Sequence, residues 1–185
     1  MRDYSEQTTE WFIQALMQDS PIEVHPAQWF TDDLWFLDQD NRPLYPTDGW
    51  WKIRSGTAEG TLLGGNLSTV NLLQGTQNMP SLKDSVLFVE DEETVDIVTF
   101  RRDLHSLLQL PGAESVQGLV IGRFQHKSEV ARVDIENLVA TLPIGDSVPV
   151  LANVDFGHTN PMLTFPVGGQ VSVVVGNEEP TFLFQ

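Results

Sequence analysis

Two short motifs hold side chains that together could carry out acid–base chemistry. The apolar run Val86–Val89 leads directly into Glu90 and three further acids, and a later apolar run ends at Val154 and is followed by Asp155-Phe156-Gly157-His158. A carboxylate that accepts the Nδ1 proton of a histidine fixes the tautomer in which Nε2 is free to act as a base. Glu90 and His158 could therefore supply two of the three members of a serine-hydrolase triad.

The elements that would position these residues are buried parallel strands. The wholly apolar run Val86–Val89 and the mainly apolar runs Gly118–Gly122 and Val148–Val154 are typical of strands covered on both faces, and the stretches about Val95–Leu110 and Ser128–Leu142 predict helices between them. Parallel strands end at the same edge of a sheet, so Glu90 and His158 are expected to meet although they are far apart in the chain. The alternative to the catalytic interpretation is that Glu90 begins a solvated acidic turn and that His158 is an ordinary loop histidine.

The flanking segments predict additions to this sheet within one domain. A helix is predicted over Ser5–Met17, followed by aromatic strand pieces and a long excursion loop over Thr31–Pro46. A strand at Thr61–Leu63 and a helix over Asn66–Gln74 come next, and Met162–Phe184 reads as antiparallel strands. The prediction is an α/β fold with a central parallel sheet and additional antiparallel strands.

Composition excludes several classes of partner and chemistry. The 185 residues carry a formal charge of −16, which disfavours nucleic acid because a phosphate backbone is bound by clustered Lys and Arg. The absence of cysteine excludes disulfides, thiolate metal ligation and a cysteine nucleophile. No apolar run is long enough for a membrane helix, and no metal or other cofactor is predicted because calcium-loop and zinc-helix spacings are absent.

The nucleophile of a triad is not evident in this chain. None of the eleven serines lies in a Gly-x-Ser-x-Gly turn. Ser68 follows Gly64-Gly65-Asn66-Leu67 at a predicted helix start, where a serine more often stabilises the first turn than attacks a substrate. From spacing alone, the catalytic interpretation of Glu90 and His158 remains open.

Four segments, in their order and separation, resemble a known family. GTAEGTLLGGNLSTVNLLQGT, SVLFVEDEE, GLVIGRFQ and PVLANVDFGHTNPMLTFPVGG are similar to the C-terminal domain of the LD-carboxypeptidase family of serine peptidases (family S66), and most similar to its microcin C immunity branch. The resemblance extends from about Glu23 to Gly169. It implies a swivelling β/β/α-type domain, a cytoplasmic enzyme and a homodimer.

The resemblance also assigns roles to residues. The family's catalytic glutamate corresponds to Glu90 and its histidine to His158, while the serine and the oxyanion hole belong to an N-terminal domain that has no counterpart in residues 1–185. The expectation is therefore a single domain, the C-terminal half of a two-domain enzyme, which is inactive alone. Asn66 of the GGN turn is expected near the substrate, although a tight turn before a helix explains these residues equally well.

The aromatic excursion bears on the substrate. Members of the immunity branch hydrolyse the amide between an aminoacyl group and a nucleotide phosphoramidate, and they resemble this chain in carrying a tryptophan-bearing loop. Trp29 and Trp35 lie where that loop begins, so they are predicted to stack on a nucleobase, with a core or interface role as the alternative. The second substrate hypothesis is removal of terminal D-alanine from murein tetrapeptides. A third, of another class, is a non-catalytic folding or dimerisation domain.

Overall fold

The computed structural model describes residues 5–17, 22–33, 37–38 and 41–184, and its centre is one eight-stranded sheet. The strands are β1 (Ile22–Val24), β2 (Trp29–Phe30), β3 (Tyr45–Pro46), β4 (Trp51–Arg54), β5 (Gly56–Asn66), β6 (Ser85–Glu90), β7 (Gly118–Gly122), β8 (Val150–Val154), β9 (Gln170–Val175) and β10 (Thr181–Phe184). The helices are α1 (Glu6–Met17), α2 (Leu67–Asn71), α3 (Ile97–Leu107) and α4 (Arg132–Val139), with 3-10 turns at Ala113–Ser115 and His126–Ser128. None of the described helices is long and apolar enough to cross a bilayer.

The parallel centre of the sheet confirms the predicted α/β fold. The strand order is β1-β10-β9-β5-β6-β7-β8-β4, in which β5, β6, β7 and β8 are parallel and the remaining pairs are antiparallel. Every residue of β6, β7 and β8 is buried. Mainly apolar strands that are buried along their whole length fit a parallel sheet covered on both faces.

Two apolar clusters cover the two faces of the parallel strands. On one face, α3 and α4 pack against alternate strand residues such as Leu87 and Leu119. On the other face, β9 and β10 curl over the sheet, so that the Phe182 ring lies 5.5 Å from that of Phe88. The carboxyl ends of the parallel strands are therefore held between two packed layers, which is a rigid setting for a site.

The predicted helices are present but shorter than the sequence pattern indicates. The helix expected over Val95–Leu110 is α3, which begins after its N-cap Asp96, whose side chain accepts a hydrogen bond from the Thr99 backbone N–H. The helix expected over Ser128–Leu142 begins only at Arg132, and the one expected over Asn66–Gln74 ends at Asn71 and continues as turns. Caps and turns thus end the helices at residues inside the ranges that apolar periodicity alone predicts.

The largest difference from the sequence prediction is β5. A three-residue strand was expected at Thr61–Leu63, whereas β5 has 11 residues, from Gly56 to Asn66. Its first half pairs antiparallel with β9 and its second half pairs parallel with β6. An alanine side chain at Gly64 would place its Cβ 1.8 Å from the Phe88 carbonyl oxygen, so only glycine allows this close approach of the two strands.

The described parts of the excursion loop are fastened to the domain. Residues 45–46 form β3 and pair with β2, which lies at the start of the excursion. Thr31 exchanges two backbone hydrogen bonds with Asn160, at 2.8 and 2.9 Å. The excursion is therefore linked to the loop that follows β8.

Candidate active site

Polar side chains from four neighbouring strands collect at the carboxyl edge of the parallel sheet. Asn66 ends β5, Glu90 ends β6, Arg123 follows β7, and Asp155 follows β8. Because the four strands are parallel, these residues lie along one edge, as the sequence predicts for Glu90 and the segment that follows β8. This edge is where ligands bind in open α/β sheets.

The structure brings Glu90 and His158 into direct contact. Glu90 Oε2 lies 2.8 Å from His158 Nδ1, which is a hydrogen-bond distance. The Glu90 side chain is 9% exposed and the His158 side chain is 45% exposed. The carboxylate is thus held inside the domain while the imidazole reaches the surface, with Nδ1 occupied and Nε2 as the nitrogen available to a substrate.

Two glycines create the space that the Glu90 side chain occupies. An added Cβ at Gly122 would lie 2.7 Å from Glu90 Cβ, and one at Gly157 would lie 2.6 Å from Glu90 Oε2. Gly157 also has a φ of +105°, a conformation that strains any residue with a side chain. Glycine at positions 122 and 157 therefore leaves the space in which the Glu90 carboxylate lies beside His158.

The contact changes the acid–base properties of the histidine. The hydrogen bond to Glu90 raises the pKa of His158 above its ordinary value of 6.5, against the opposing effect of partial burial. The charges of Glu90, Glu92 and Asp91 raise this pKa further. Glu90 therefore stabilises the imidazolium, which is what a residue orienting a general base must do.

The loop that carries His158 is held on both sides. The Asn160 backbone pairs with Thr31, and the Thr8 hydroxyl of α1 donates to Asn160 Oδ1 at 3.3 Å while it accepts the Met162 N–H at 2.9 Å. Before the histidine, the Asp155 carbonyl accepts the Leu163 N–H at 2.6 Å, which closes the loop on itself. These contacts, from α1, from Thr31 of the excursion and from within the loop itself, restrict the position of His158.

Both the oxygen and the nitrogen of the Asn66 amide take part in local structure, as the turn interpretation of the sequence expects. Its Oδ1 accepts from the backbone N–H and the hydroxyl of Thr69, at 3.0 and 2.8 Å, so Asn66 is the N-cap of α2. Its Nδ2 donates to Asp91 Oδ1 at 3.0 Å. Ser68 Oγ also donates to Asp91, at 2.7 Å, rather than to the histidine.

The two tryptophans proposed for substrate binding are placed differently. Trp29 is partly buried in β2 and, with Trp11 and His25, lines a surface cavity of about 430 Å³ that Glu90 and His158 do not line. Trp35 lies outside the described residues. The structure therefore does not bring Trp29 into the same cavity as the Glu90–His158 pair.

Sequence reasoning missed a buried ion pair at the same edge. Arg123 Nη2 donates to Asp155 Oδ1 at 2.6 Å, and both side chains are almost fully buried. Asp155 Oδ2 accepts from Trp50 Nε1 at 2.8 Å and from the Ala27 backbone at 3.0 Å. Arg123 follows β7 directly, so the strand-end rule that selected Glu90 would have selected it too.

A second histidine–carboxylate contact was also missed. His126 Nδ1 lies 3.0 Å from Asp32 Oδ1, and its ring stacks on Phe30 with the centroids 4.9 Å apart. His126 borders a cavity of about 310 Å³ that is also lined by Arg123 and Trp51. Asp32 and His126 are 94 positions apart, and no motif in the sequence connects them.

Comparison with protein families gives one match over most of the chain. The family model described as the LD-carboxypeptidase C-terminal domain matches residues 59–173. The chain is 45% identical over 167 residues to the “Putative carboxypeptidase YocD” of Bacillus subtilis (strain 168), an alignment that covers 90% of this chain and 50% of that relative.

Other relatives carry a different name. The Microcin C7 self-immunity protein MccF of Escherichia coli is 34% identical over 181 residues, covering 92% of this chain and 52% of that protein. A structure of MccF in complex with glutamyl sulfamoyl guanosine aligns with a TM-score of 0.77 at 24% identity, over 97% of this chain and 55% of that one.

The fold comparison agrees with the sequence comparison. The crystal structure of an MccF-like protein from Bacillus anthracis str. Ames aligns with a TM-score of 0.91 and 40% identity, covering 97% of this chain and 55% of that chain. This chain therefore spans about half the length of the curated relatives that it matches.

Proposed function

The chain belongs to the LD-carboxypeptidase family, and from this membership we propose that it is the C-terminal domain of a serine hydrolase in which Glu90 orients His158. The observation that carries the proposal is the 2.8 Å contact between Glu90 Oε2 and His158 Nδ1, with the imidazole at the surface of the sheet edge. The nucleophilic serine and the oxyanion hole are proposed to lie in the part of the relatives' length that this chain does not span.

Each residue has a defined step in this proposal. His158 Nε2 takes the proton from the serine hydroxyl as the serine attacks the acyl carbonyl, and it returns that proton to the leaving amine. Glu90 keeps Nδ1 protonated and stabilises the imidazolium formed in between, in keeping with the raised pKa of His158. Neither residue attacks the substrate, so the chain alone is expected to hydrolyse nothing.

For the substrate, we propose an aminoacyl nucleotide whose amide bond is cleaved. The name of MccF and the glutamyl sulfamoyl guanosine held in one of its structures support this class. In this proposal Trp35 or Trp29 stacks on the base and Asn66 contacts the aminoacyl part. The second candidate is removal of the terminal D-alanine from a murein tetrapeptide, a carboxypeptidase activity in keeping with the printed name of the relative “Putative carboxypeptidase YocD”, to which the identity is higher than to MccF.

The test uses this chain joined to the N-terminal part of the family, either in its native longer protein or as a fusion to that part of YocD. Aminoacyl sulfamoyl adenosine and a murein tetrapeptide are offered in parallel to the wild-type protein, to His158→Ala and to His105→Ala, a control histidine in α3. We expect the wild-type protein and His105→Ala to hydrolyse aminoacyl sulfamoyl adenosine, and His158→Ala not to hydrolyse it. Cleavage of the tetrapeptide alone would replace the first substrate by the second, and full activity of His158→Ala would refute the proposed function.

A further inference from the structure

The carboxylate of Asp91, next to Glu90, is buried and receives four hydrogen bonds. Its Oδ1 accepts from Asn66 Nδ2 and the Glu92 backbone, both at 3.0 Å, and its Oδ2 accepts from the backbone and hydroxyl of Ser68, at 3.1 and 2.7 Å. The residue is 2% exposed. Asp91 therefore ties the end of β6 to the turn where β5 passes into α2.

These contacts determine which way the Asn66 amide faces. The Asp91 carboxylate can only accept, and the Thr69 backbone N–H can only donate, so the Asn66 nitrogen must face Asp91 and its oxygen must face Thr69. In the reversed orientation, the Asn66 oxygen would face the Asp91 carboxylate and the Asn66 NH₂ group would face the Thr69 N–H. Both hydrogen bonds would then be lost. Asp91 and the Thr69 N–H thus together select one of two orientations that are otherwise similar in shape.

The selected orientation leaves one group for a ligand. An amide nitrogen carries two hydrogens, and in the described part of the chain one of them is bonded to Asp91, so the second is the group that Asn66 can offer. Asn66 is the Cα partner of Glu90 in the parallel pairing, which places it one strand from the Glu90–His158 pair. The first Nδ2 hydrogen already faces the Asp91 carboxylate, whose charge repels another anion, so a neutral carbonyl oxygen is a better acceptor for the second hydrogen than a second carboxylate.

We propose that Asp91 is a positioning residue which turns Asn66 into a hydrogen-bond donor for a carbonyl oxygen of the substrate. The inference rests on the proposed function, because it assigns the contact to the substrate of the Glu90–His158 site. It predicts that the substrate contact of Asn66 depends on Asp91, although Asp91 itself touches no substrate.

The orientation of the amide can be tested in the chain as it stands. The two Nδ2 proton resonances of Asn66 are assigned by their loss in Asn66→Ser, which retains an N-cap oxygen. We expect one of the two protons to exchange more slowly with solvent in the wild type and both to exchange at similar rates in Asp91→Ala, which removes the acceptor oxygen. Ser68→Ala removes a different hydrogen bond of Asp91 and should leave the slow proton in place. Unchanged exchange in Asp91→Ala would overturn the inference.

The functional consequence is tested by a double-mutant cycle in the two-domain protein. Asp91→Ala and Asn66→Ser should each lower kcat/KM about tenfold, the effect of one lost hydrogen bond, mainly through a higher KM. If Asp91 acts through Asn66, the double variant should be no worse than Asn66→Ser alone. Losses that multiply, or a lower kcat at unchanged KM, would overturn the inference and leave Asp91 a structural role only.

The failure of the inference is distinguishable from that of the proposed function. A wild-type protein that hydrolyses neither substrate, or an active His158→Ala variant, refutes the proposed function and with it the substrate contact of Asn66. An active wild type whose KM is unaffected by Asp91→Ala refutes only the role of Asp91. If Asp91→Ala does not fold, Asn66→Ser still tests the donor, because a KM equal to that of the wild type would exclude it.

Discussion

Replacing Gly157 by alanine should separate Glu90 from His158. The new Cβ would lie 2.6 Å from Glu90 Oε2, whereas ordinary contact begins near 3.4 Å, so the two groups must move apart by about 0.8 Å. If the carboxylate moves away from the histidine by that amount, the 2.8 Å hydrogen bond lengthens to about 3.6 Å, which is too long for a hydrogen bond. The carboxylate has little room to escape elsewhere, because Glu90 Cβ already fills the space left by Gly122.

The change has two consequences of different origin. The φ of +105° at residue 157 should reduce the free energy of unfolding by about 1–3 kcal/mol, as expected for a side chain in a disfavoured conformation. Independently, the pKa of His158 should fall toward its ordinary value, because the hydrogen bond to Glu90 is the largest cause of its rise. Urea unfolding measures the first effect, and an NMR titration of the His158 ring measures the second, both in the chain alone.

Gly168→Ala is a matched control for the backbone effect. Gly168 has a φ of +90°, but an added Cβ there meets nothing within 4 Å. It should cost comparable stability and leave the pKa of His158 unchanged. If Gly157→Ala loses stability like the control but keeps the raised pKa of His158, the steric reasoning is refuted.

Four further outcomes are expected. The free energy of unfolding should decrease as the pH rises from 6.5 through the raised pKa of His158, because the folded state favours the protonated ring, and urea unfolding should show a weaker decrease in Glu90→Gln. Asp155→Ala should cost about 3–5 kcal/mol in urea unfolding, since it leaves the buried charge of Arg123 without its partner, and a cost below 1 kcal/mol would contradict this. Trp29→Ala in the two-domain protein should weaken adenylate binding by about 1–3 kcal/mol if Trp29 stacks on the base, and calorimetry that shows unchanged affinity would exclude it. Chelators should leave the hydrolysis rate unchanged, and activity restored by zinc or manganese would contradict the triad.

The sequence predicts the parts of the fold that depend on local pattern. The runs Val86–Val89 and Gly118–Gly122 are strands because continuous apolar residues can only be buried on both faces. Local pattern does not predict the full length of β5, because its glycines have low strand propensity and its length is set by pairing with β9 and β6. A strand defined by two partners distant in the chain leaves little local signal.

The same contrast holds for the site. The proximity of Glu90 and His158 follows from the shared edge of parallel strands, a rule that needs only the strand ends and their direction. The Asp32–His126 contact depends instead on how the excursion folds back on the sheet, which no local periodicity encodes. The GGN sequence fits a turn and a substrate-binding role for Asn66 equally well. The bonds that orient its amide involve Asp91, whose side chain the sequence does not place.

The pH dependence of kcat/KM in the two-domain protein tests most directly the claim that Glu90 orients His158 as the general base. The wild-type profile should rise through the raised pKa of His158, because only the neutral ring accepts a proton. Glu90→Gln should move this rise to lower pH and lower the plateau by about 10²–10⁴-fold, the contribution typical of a positioned base. A Glu90→Gln profile with the wild-type midpoint and plateau would contradict the claim.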